Sequence, residues 1–412
     1  MGLNRGDRVA LLVSGSTAYL DAVISLLVRG IVPIPLDPRL TGQERSRILA
    51  DLEPALVVTD DSDLDALATG WAPGDVPLAR PMHVTSGTTG TPKGVWSGVL
   101  PVEDAAALLA EERDLWGFET QDVNLVLSPL HHSAPLRFAM GTLLAGGRVV
   151  GARSAFDPAT ITTAIVRERP TTMFCVPTHL QRLFAHWEGS VAPDLSSFRL
   201  VAHAGAPCPD PLKHRLIDAF PPGSTWEFYG STEGQFTACR SEEWLEHPGT
   251  VGRARPGRTL RVDDDGLIWC RVPAHARFEY FGDPGKTASA WRGDEFTVGD
   301  LGRIDEDGYL YLDGRREDLV ITGGVNVYPA EVENALSGHP GVRDVAVFGV
   351  PDEEWGQRVV AAVVGTATAA ELDAWARDRL APPKRPKEYL FLSELPRTAT
   401  GKVLRRRLPT ER

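Results

Sequence analysis

Thr85-Ser86-Gly87-Thr88-Thr89-Gly90-Thr91-Pro92-Lys93-Gly94 is the stretch on which the reading of this chain turns. It follows a short apolar run, Pro81-Met82-His83-Val84, suited to ending a strand. Glycine leaves backbone N–H groups unhindered, the hydroxyls donate, and Lys93 adds a point charge; together these suit a polyphosphate. The same composition also serves a plain Gly/Thr surface loop. The nucleotide-hydrolase pattern G-x-x-x-x-G-K-[ST] does not fit. Counting from Gly87, Pro92 stands where the second glycine is required, and Gly94 follows Lys93 in place of Ser or Thr.

Around this loop the chain alternates between short apolar runs and helical periodicity. Arg8–Val13, Ile31–Pro35 and Ala55–Thr59 are expected strands. Thr17–Val28 is an expected helix with Leu20, Val23, Ile24 and Leu27 on one face, and Thr41-Gly42-Gln43-Glu44 is a capping box opening another. The pattern continues through strands at Val123–Ser128, Arg148–Gly151, Thr171–Val176, Phe198–Ala202 and Thr225–Tyr229. Helices are expected at Leu136–Leu144 and Pro158–Arg167. Such alternation predicts βα units and largely parallel sheets. From about Gly249 to Leu312 short β-like pieces between Gly, Pro and Asp turns predict a small barrel or antiparallel sheet. A compact α+β pattern then runs to the end. The fold class is therefore α/β: a large N-terminal domain of βα-built sheets with a small β-barrel-like subdomain, then a small α+β domain. The boundaries fall at 1–314, a turn-like 315–318, and 319–412.

Bulk properties narrow the function. A 42% hydrophobic, 24% charged composition is ordinary for a globular chain. A net charge of −12 without a basic stripe argues against nucleic-acid binding. Cys175, Cys208, Cys239 and Cys270 form no C-x-x-C pair, which disfavours zinc or a disulfide framework and fits a reducing cytoplasm. The longest apolar region, Ala22 to Leu36, is broken by Arg29 and Pro33, so no membrane span is expected.

The decisive loop has the register T-S-G-T-T-G-x-P-K-G, which resembles the nucleotide loop of the adenylate-forming superfamily: acyl-CoA synthetases, stand-alone adenylation domains and firefly luciferase. Four more segments resemble that family, in its order. Phe228-Tyr229-Gly230-Ser231-Thr232-Glu233 is similar to its Y-G-x-T-E motif. Gly299-Asp300, preceded by Val298, is similar to its T-G-D. Gly314-Arg315-Arg316-Glu317-Asp318 with Gly323-Gly324-Val325-Asn326-Val327-Tyr328-Pro329 is similar to its hinge and following strand. Pro396-Arg397-Thr398-Ala399-Thr400-Gly401-Lys402 is similar to its terminal lysine motif. The chain is shorter than the family's usual length, with an abbreviated stretch from Asp60 to Thr85.

The resemblance implies ATP and Mg²⁺ as cofactors and CoA as co-substrate, and it assigns roles. Thr85, Ser86, Gly87, Thr88, Thr89, Gly90 and Lys93 would hold the triphosphate. Glu233 and Thr88 would hold the metal, which takes a few protein oxygens plus phosphate and water. Tyr229 would stack on adenine beside Gly230 and Thr232, with Gly205-Ala206-Pro207 lining the adenine and acyl pockets. Asp300 and Arg315 would contact the ribose; a carboxylate can accept two vicinal hydroxyl protons. Lys402 would reach the carboxylate and α-phosphate during adenylation. Glu317 marks the hinge, about which a mobile C-terminal domain would swing. Gly323 and Gly324 would line the pantetheine tunnel. His132 would gate the acyl pocket, with His131 in the preceding aromatic place. Adjacent residues on a strand or turn are expected to point apart, so no metal site is expected there. Arg405-Arg406-Arg407 is expected to be a solvated basic end.

The acid itself is constrained by one absence. His131 to Phe138 contains no carboxylate to pair with a substrate ammonium, and a buried unpaired ammonium is costly. The expected substrate is a carboxylic acid without an α-amino group. Apolar neighbours Ala134, Leu136, Phe138, Ala139, Met140, Phe236 and Ala206 suggest a fatty, aryl or other apolar acid. The expected product is acyl-CoA with AMP and pyrophosphate. A carrier-protein thiol or a nitrogen nucleophile is the alternative acceptor.

Overall fold

The computed structural model describes residues 2–85, 93–151, 156–315, 318–322, 325–353, 355–397 and 403–409. The first unit is a three-stranded parallel sheet, Arg8–Leu11 between Val32–Pro35 and Leu56–Val58. The helix Thr17–Val28 packs on it. It starts where the Ser16 hydroxyl accepts from the Tyr19 N–H at 3.0 Å, and it buries Leu20, Val23 and Leu27 against Val9 and Leu11. The Thr41–Glu44 capping box is present and opens the helix Gly42–Leu52.

The central sheet has seven strands in the order Arg253–Ala254, Thr237–Arg240, Thr225–Glu227, Leu200–His203, Thr172–Cys175, Val123–Val126 and Arg148–Val150. From Thr225–Glu227 to Arg148–Val150 all neighbours are parallel. The connections are the helices Ser133–Leu144, Pro158–Glu168, Pro177–Glu188 and Asp210–Ala219. Strands buried on both faces read as unbroken apolar runs, as Leu200-Val201-Ala202 does. Parallel order puts the carboxyl ends of these strands on one edge, where open α/β sheets place their ligands.

Small antiparallel sheets then wrap a shared aromatic core of Tyr229, Phe236, Phe278, Tyr280 and Phe296. One of them joins Thr259–Val262, Ile268–Arg271, Glu295–Phe296 and Trp291–Arg292. Of the two forms expected here, a small barrel or an antiparallel sheet, this region takes the second, as a group of antiparallel sheets. The C-terminal unit has a five-stranded sheet whose long hairpin, Val342–Asp352 with Gly356–Gly365, is flanked by Pro329–Ser337 and Ala369–Arg379. The first residue of the expected turn-like 315–318 is still strand: Leu310–Arg315 runs through Arg315.

Candidate active site

Two of the sequence segments, Gly205-Ala206-Pro207 and Tyr229 to Glu233, follow strands of the central sheet at their carboxyl ends. Leu200–His203 leads into Ala204 and Gly205, and Gly205 takes the positive φ of 89° that its turn requires. Thr225–Glu227 leads into Phe228, Tyr229 and a tight hairpin closed by the Gly230–Gln235 bridge. A Cβ on Gly230 would meet Gly234 O and Gln235 Cα at 2.9 Å, so this glycine serves hairpin closure.

The hairpin delivers Tyr229 and Glu233 to buried positions. The Tyr229 hydroxyl donates to Asp300 Oδ2 at 2.5 Å, and Asp300 is the direct cross-strand partner of Arg315. Three residues far apart in sequence are thereby brought together. Removing the Tyr229 hydroxyl releases Asp300 from this charge-assisted bond. We expect Tyr229→Phe to raise the KM for ATP about 10-fold with a smaller change in kcat. An unchanged KM in steady-state kinetics would detach this pair from nucleotide binding.

Glu233 accepts from the Tyr280 hydroxyl at 2.9 Å. Tyr280 pairs with Val95 on the strand Lys93–Trp96, and Lys93 Nζ lies 3.8 Å from Asp283 Oδ2. Tyr280 therefore fastens the exit of the phosphate loop to Glu233, a connection no sequence motif announced. An oxygen-only acid beside a lysine strand is the donor chemistry that MgATP uses, so the residues present fit the group. Ser86, Gly87, Thr88, Thr89, Gly90, Glu317, Gly323, Gly324 and Lys402 lie outside the described residues, as do the side chains of Thr85 and Arg315.

Beside the hairpin is a cavity that opens to solvent. Thr232 and Gly234 border it, with Leu136 and Met140 from one helix and Leu108 and Leu109 from another. Phe138, Ala139 and Phe236, expected in the acyl pocket, sit instead in the packed cores. Gly205, Ala206, Pro207 and His132 are not among the lining residues, whereas Ser133 and His83 are.

The helix Val102–Trp116 also brings a charge that the local reading from His131 to Phe138 could not see. Glu112 lines the cavity and is bonded by Arg255 Nη1 and Gln235 Nε2, both at 2.9 Å, with Arg137 Nε 3.2 Å away. Burial opposes its charge, but Arg137 and Arg255 outweigh that and bring its pKa down to about 2. Behind it Glu111 holds Arg258 through both oxygens, at 3.2 and 2.8 Å.

His131 and His132 do not point apart as expected: their ring centres are 4.2 Å apart. His83 joins them, its Nδ1 3.1 Å from the carbonyl of His131, so Nδ1 carries the hydrogen. Burial carries His83 down to about 4 and His132 to about 3, keeping both neutral at pH 7. In the unfolded chain they take up protons as pH falls through about 6.5. Stability is then complete above that value and declines below it, because the unfolded state binds more protons. His83→Asn keeps a donor for the carbonyl. We expect it to flatten the pH dependence of the unfolding free energy between about pH 6 and 4.5 by up to one proton's worth. Urea melts with an unaltered slope would exclude His83 as a source.

In the C-terminal unit, Arg405 departs from the expected solvated end. It is partly buried, donating to Val347 O at 3.0 Å and Glu333 Oε1 at 2.6 Å.

Comparison with known proteins agrees with this arrangement. Residues 82–272 match the family model of the AMP-binding enzyme, and residues 331–402 match the AMP-binding enzyme C-terminal domain. The feruloyl-CoA synthase of an Amycolatopsis species is 36% identical, over 98% of this chain and 88% of its own. The fatty acid–[acyl-carrier-protein] ligase ScoC of Streptomyces coeruleorubidus is 31% identical, over 99% and 87%. The solved o-succinylbenzoate CoA synthetase MenE of Bacillus subtilis, in complex with its acyl-adenylate intermediate, superposes with a TM-score of 0.84. It is 27% identical and covers 100% of this chain and 89% of its own. The chain belongs to the AMP-binding, adenylate-forming family of acyl-CoA synthetases.

Proposed function

We propose that this protein joins a carboxylic acid to CoA in two steps, with ATP as the energy source and Mg²⁺ as its counter-ion. The carboxylate oxygen attacks the α-phosphorus, the bond to the bridging oxygen breaks, and pyrophosphate leaves. The CoA sulfur then attacks the acyl carbon of the mixed anhydride and AMP leaves, the thiol proton passing to solvent. The carrying observation is the convergence of Tyr229, Asp300 and Glu233, with Thr232 of the same hairpin bordering a cavity. Mg²⁺ neutralises phosphate charge when bound. Glu233 and Thr88 are the residues assigned to it. Tyr229, Asp300 and Arg315 hold the nucleoside, and the phosphate loop with Lys93 holds the triphosphate. His132 is too poor a base to deprotonate a thiol, and its place is that of a neutral positioning group before the helix Ser133–Leu144.

The domain division at 315–318 and rotation about it belong to the same proposal. It is supported by hydrophobic cores that fall on either side: Tyr229 to Leu310 in one, Val320 to Leu380 in another. A carrier-protein thiol is the second acceptor, favoured by the likeness to ScoC. We place the reaction in the cytoplasm, in keeping with four free cysteines. No helix among the described residues is long and apolar enough to cross a membrane. Mass spectrometry with MgATP, CoA and pooled acids should show acyl-CoA and AMP. Acyl-AMP without acyl-CoA would transfer the acceptor role elsewhere, and neither product from any acid would refute the ligase.

A further inference from the structure

The cavity takes Leu108, Leu109, Leu136 and Met140 from two helices but also carries four guanidinium groups: Arg80, Arg137, Arg255 and Arg258 all line it. They come from three separate segments of the chain, Arg255 and Arg258 sharing one turn, and face two carboxylates, Glu111 and Glu112. Arg258 is satisfied by both oxygens of Glu111, which also meets His275 Nε2 at 2.7 Å. Glu112 is shared between Arg137 and Arg255, and also accepts from Gln235 and Trp116. Arg80 donates to the Ser97 hydroxyl at 3.2 Å and has no carboxylate of its own among the described residues. The side chains of Arg255 and Arg258 are only 2% and 5% exposed. Inside this lining, Arg137 Nη2 and Arg255 Nε are buried without a hydrogen-bond partner among the described residues. A guanidinium donor withdrawn from water and left unmade is costly, and a planar carboxylate is the group that best satisfies it.

Building on the ligase reading, we propose that the acid activated here is a dicarboxylate with an apolar body. Its second carboxylate is held in this cavity by Arg80, Arg137 and Arg255. The two positive charges in excess of Glu111 and Glu112 match one added carboxylate better than an alkyl or phenyl terminus. The latter would leave the same donors dry and unpaired. The positive surplus also turns away a substrate ammonium. The expected exclusion of α-amino acids therefore holds for a different reason: a carboxylate does line the pocket, and arginines already occupy it.

The test uses matched pairs differing by one terminal carboxylate: hexanoate and adipate, decanoate and sebacate, 3-phenylpropanoate and 3-(4-carboxyphenyl)propanoate. Each is measured on the full chain by calorimetric binding with AMP present and by MgATP-dependent pyrophosphate release. In at least one pair the diacid should bind and turn over at least about 10-fold better, the scale of a charged hydrogen bond left unmade. Arg80→Met and Arg137→Met should each narrow that ratio at least about threefold. Arg80→Met strands no carboxylate, so it separates recognition from folding. Equal or better use of the monoacid in every pair overturns the assignment and leaves the ligase standing. That is also the outcome if these arginines hold the reacting carboxylate. Diacid binding with no pyrophosphate release keeps the assignment and overturns the ligase reading. Absence of diacid binding, or a ratio unmoved in both variants, overturns the assignment.

Discussion

Glu233→Gln should lower acid-dependent pyrophosphate release about 10²- to 10³-fold, with little change in thermal stability. The substitution is close to isosteric, and a glutamine oxygen still accepts from the Tyr280 hydroxyl, which in the wild type reaches Oε1 at 2.9 Å. The hairpin from Tyr229 to Gln235 is held by backbone bonds, Ser231 N to Gly234 O at 2.8 Å and Phe236 N to Tyr229 O at 2.9 Å, and these are untouched. What is lost is one negative charge at the site proposed to face the triphosphate. Among the described residues Glu233 Oε2 takes no hydrogen bond, so its charge is not spent on the fold. The Mg²⁺ concentration for half-maximal rate should rise alongside the fall in kcat. Tyr280→Phe should follow in the same direction but weakly, about 3- to 10-fold, because it only orients the carboxylate. If Glu233→Gln retained rates within about threefold of wild type, the assigned role at the phosphates would be wrong.

The parts of this protein that were legible in the sequence are those written locally. Ser16 before Thr17 and Thr41 before Glu44 set helix starts through bonds three residues long, and both helices lie where expected. Apolar runs such as Leu200–His203 mark parallel strands because both faces are buried. The Tyr229–Glu233 segment is written locally too: it is a tight hairpin at the end of the strand Thr225–Glu227. The charged lining of the cavity was not. Its arginines stand at positions 80, 137, 255 and 258, and their carboxylates come from a helix some distance from each. Only tertiary packing assembles them. One signal was present: Arg137 interrupts Leu136 and Phe138-Ala139, and a charge on a helix otherwise apolar at that level needs a partner. Tyr280 escaped notice because its contribution is a single hydroxyl across forty-seven positions of sequence.

Lys402→Ala should abolish the first half-reaction and spare the second. The segment that bears this lysine is tied to the C-terminal sheet on both sides. Arg397 pairs with Val403 through the backbone, Leu404 N donates to Pro396 O at 2.8 Å, and the Arg397 guanidinium grips both oxygens of Asp344 at 2.7 Å. Arg405 adds its bond to Glu333. The described residues on either side, Arg397 and Val403 to Arg405, thus belong to the C-terminal unit. Adenylation brings a carboxylate against an already anionic triphosphate, and charge on the phosphate oxygens grows toward the transition state. A lysine ammonium offsets that repulsion only in this step; thioester formation starts from an acyl-AMP whose carboxylate charge is gone. We therefore expect pyrophosphate release to fall at least about 10²-fold in the variant. CoA-dependent consumption of synthetic acyl-AMP should stay within about threefold of wild type. The ties through Arg397, Leu404 and Arg405 do not involve the lysine side chain, so loss of folding is not the expected cause. Equal losses in the two half-reactions would mean that Lys402 serves the closure of the domains in general, and that the adenylation charge is supplied from the phosphate loop by Lys93 alone.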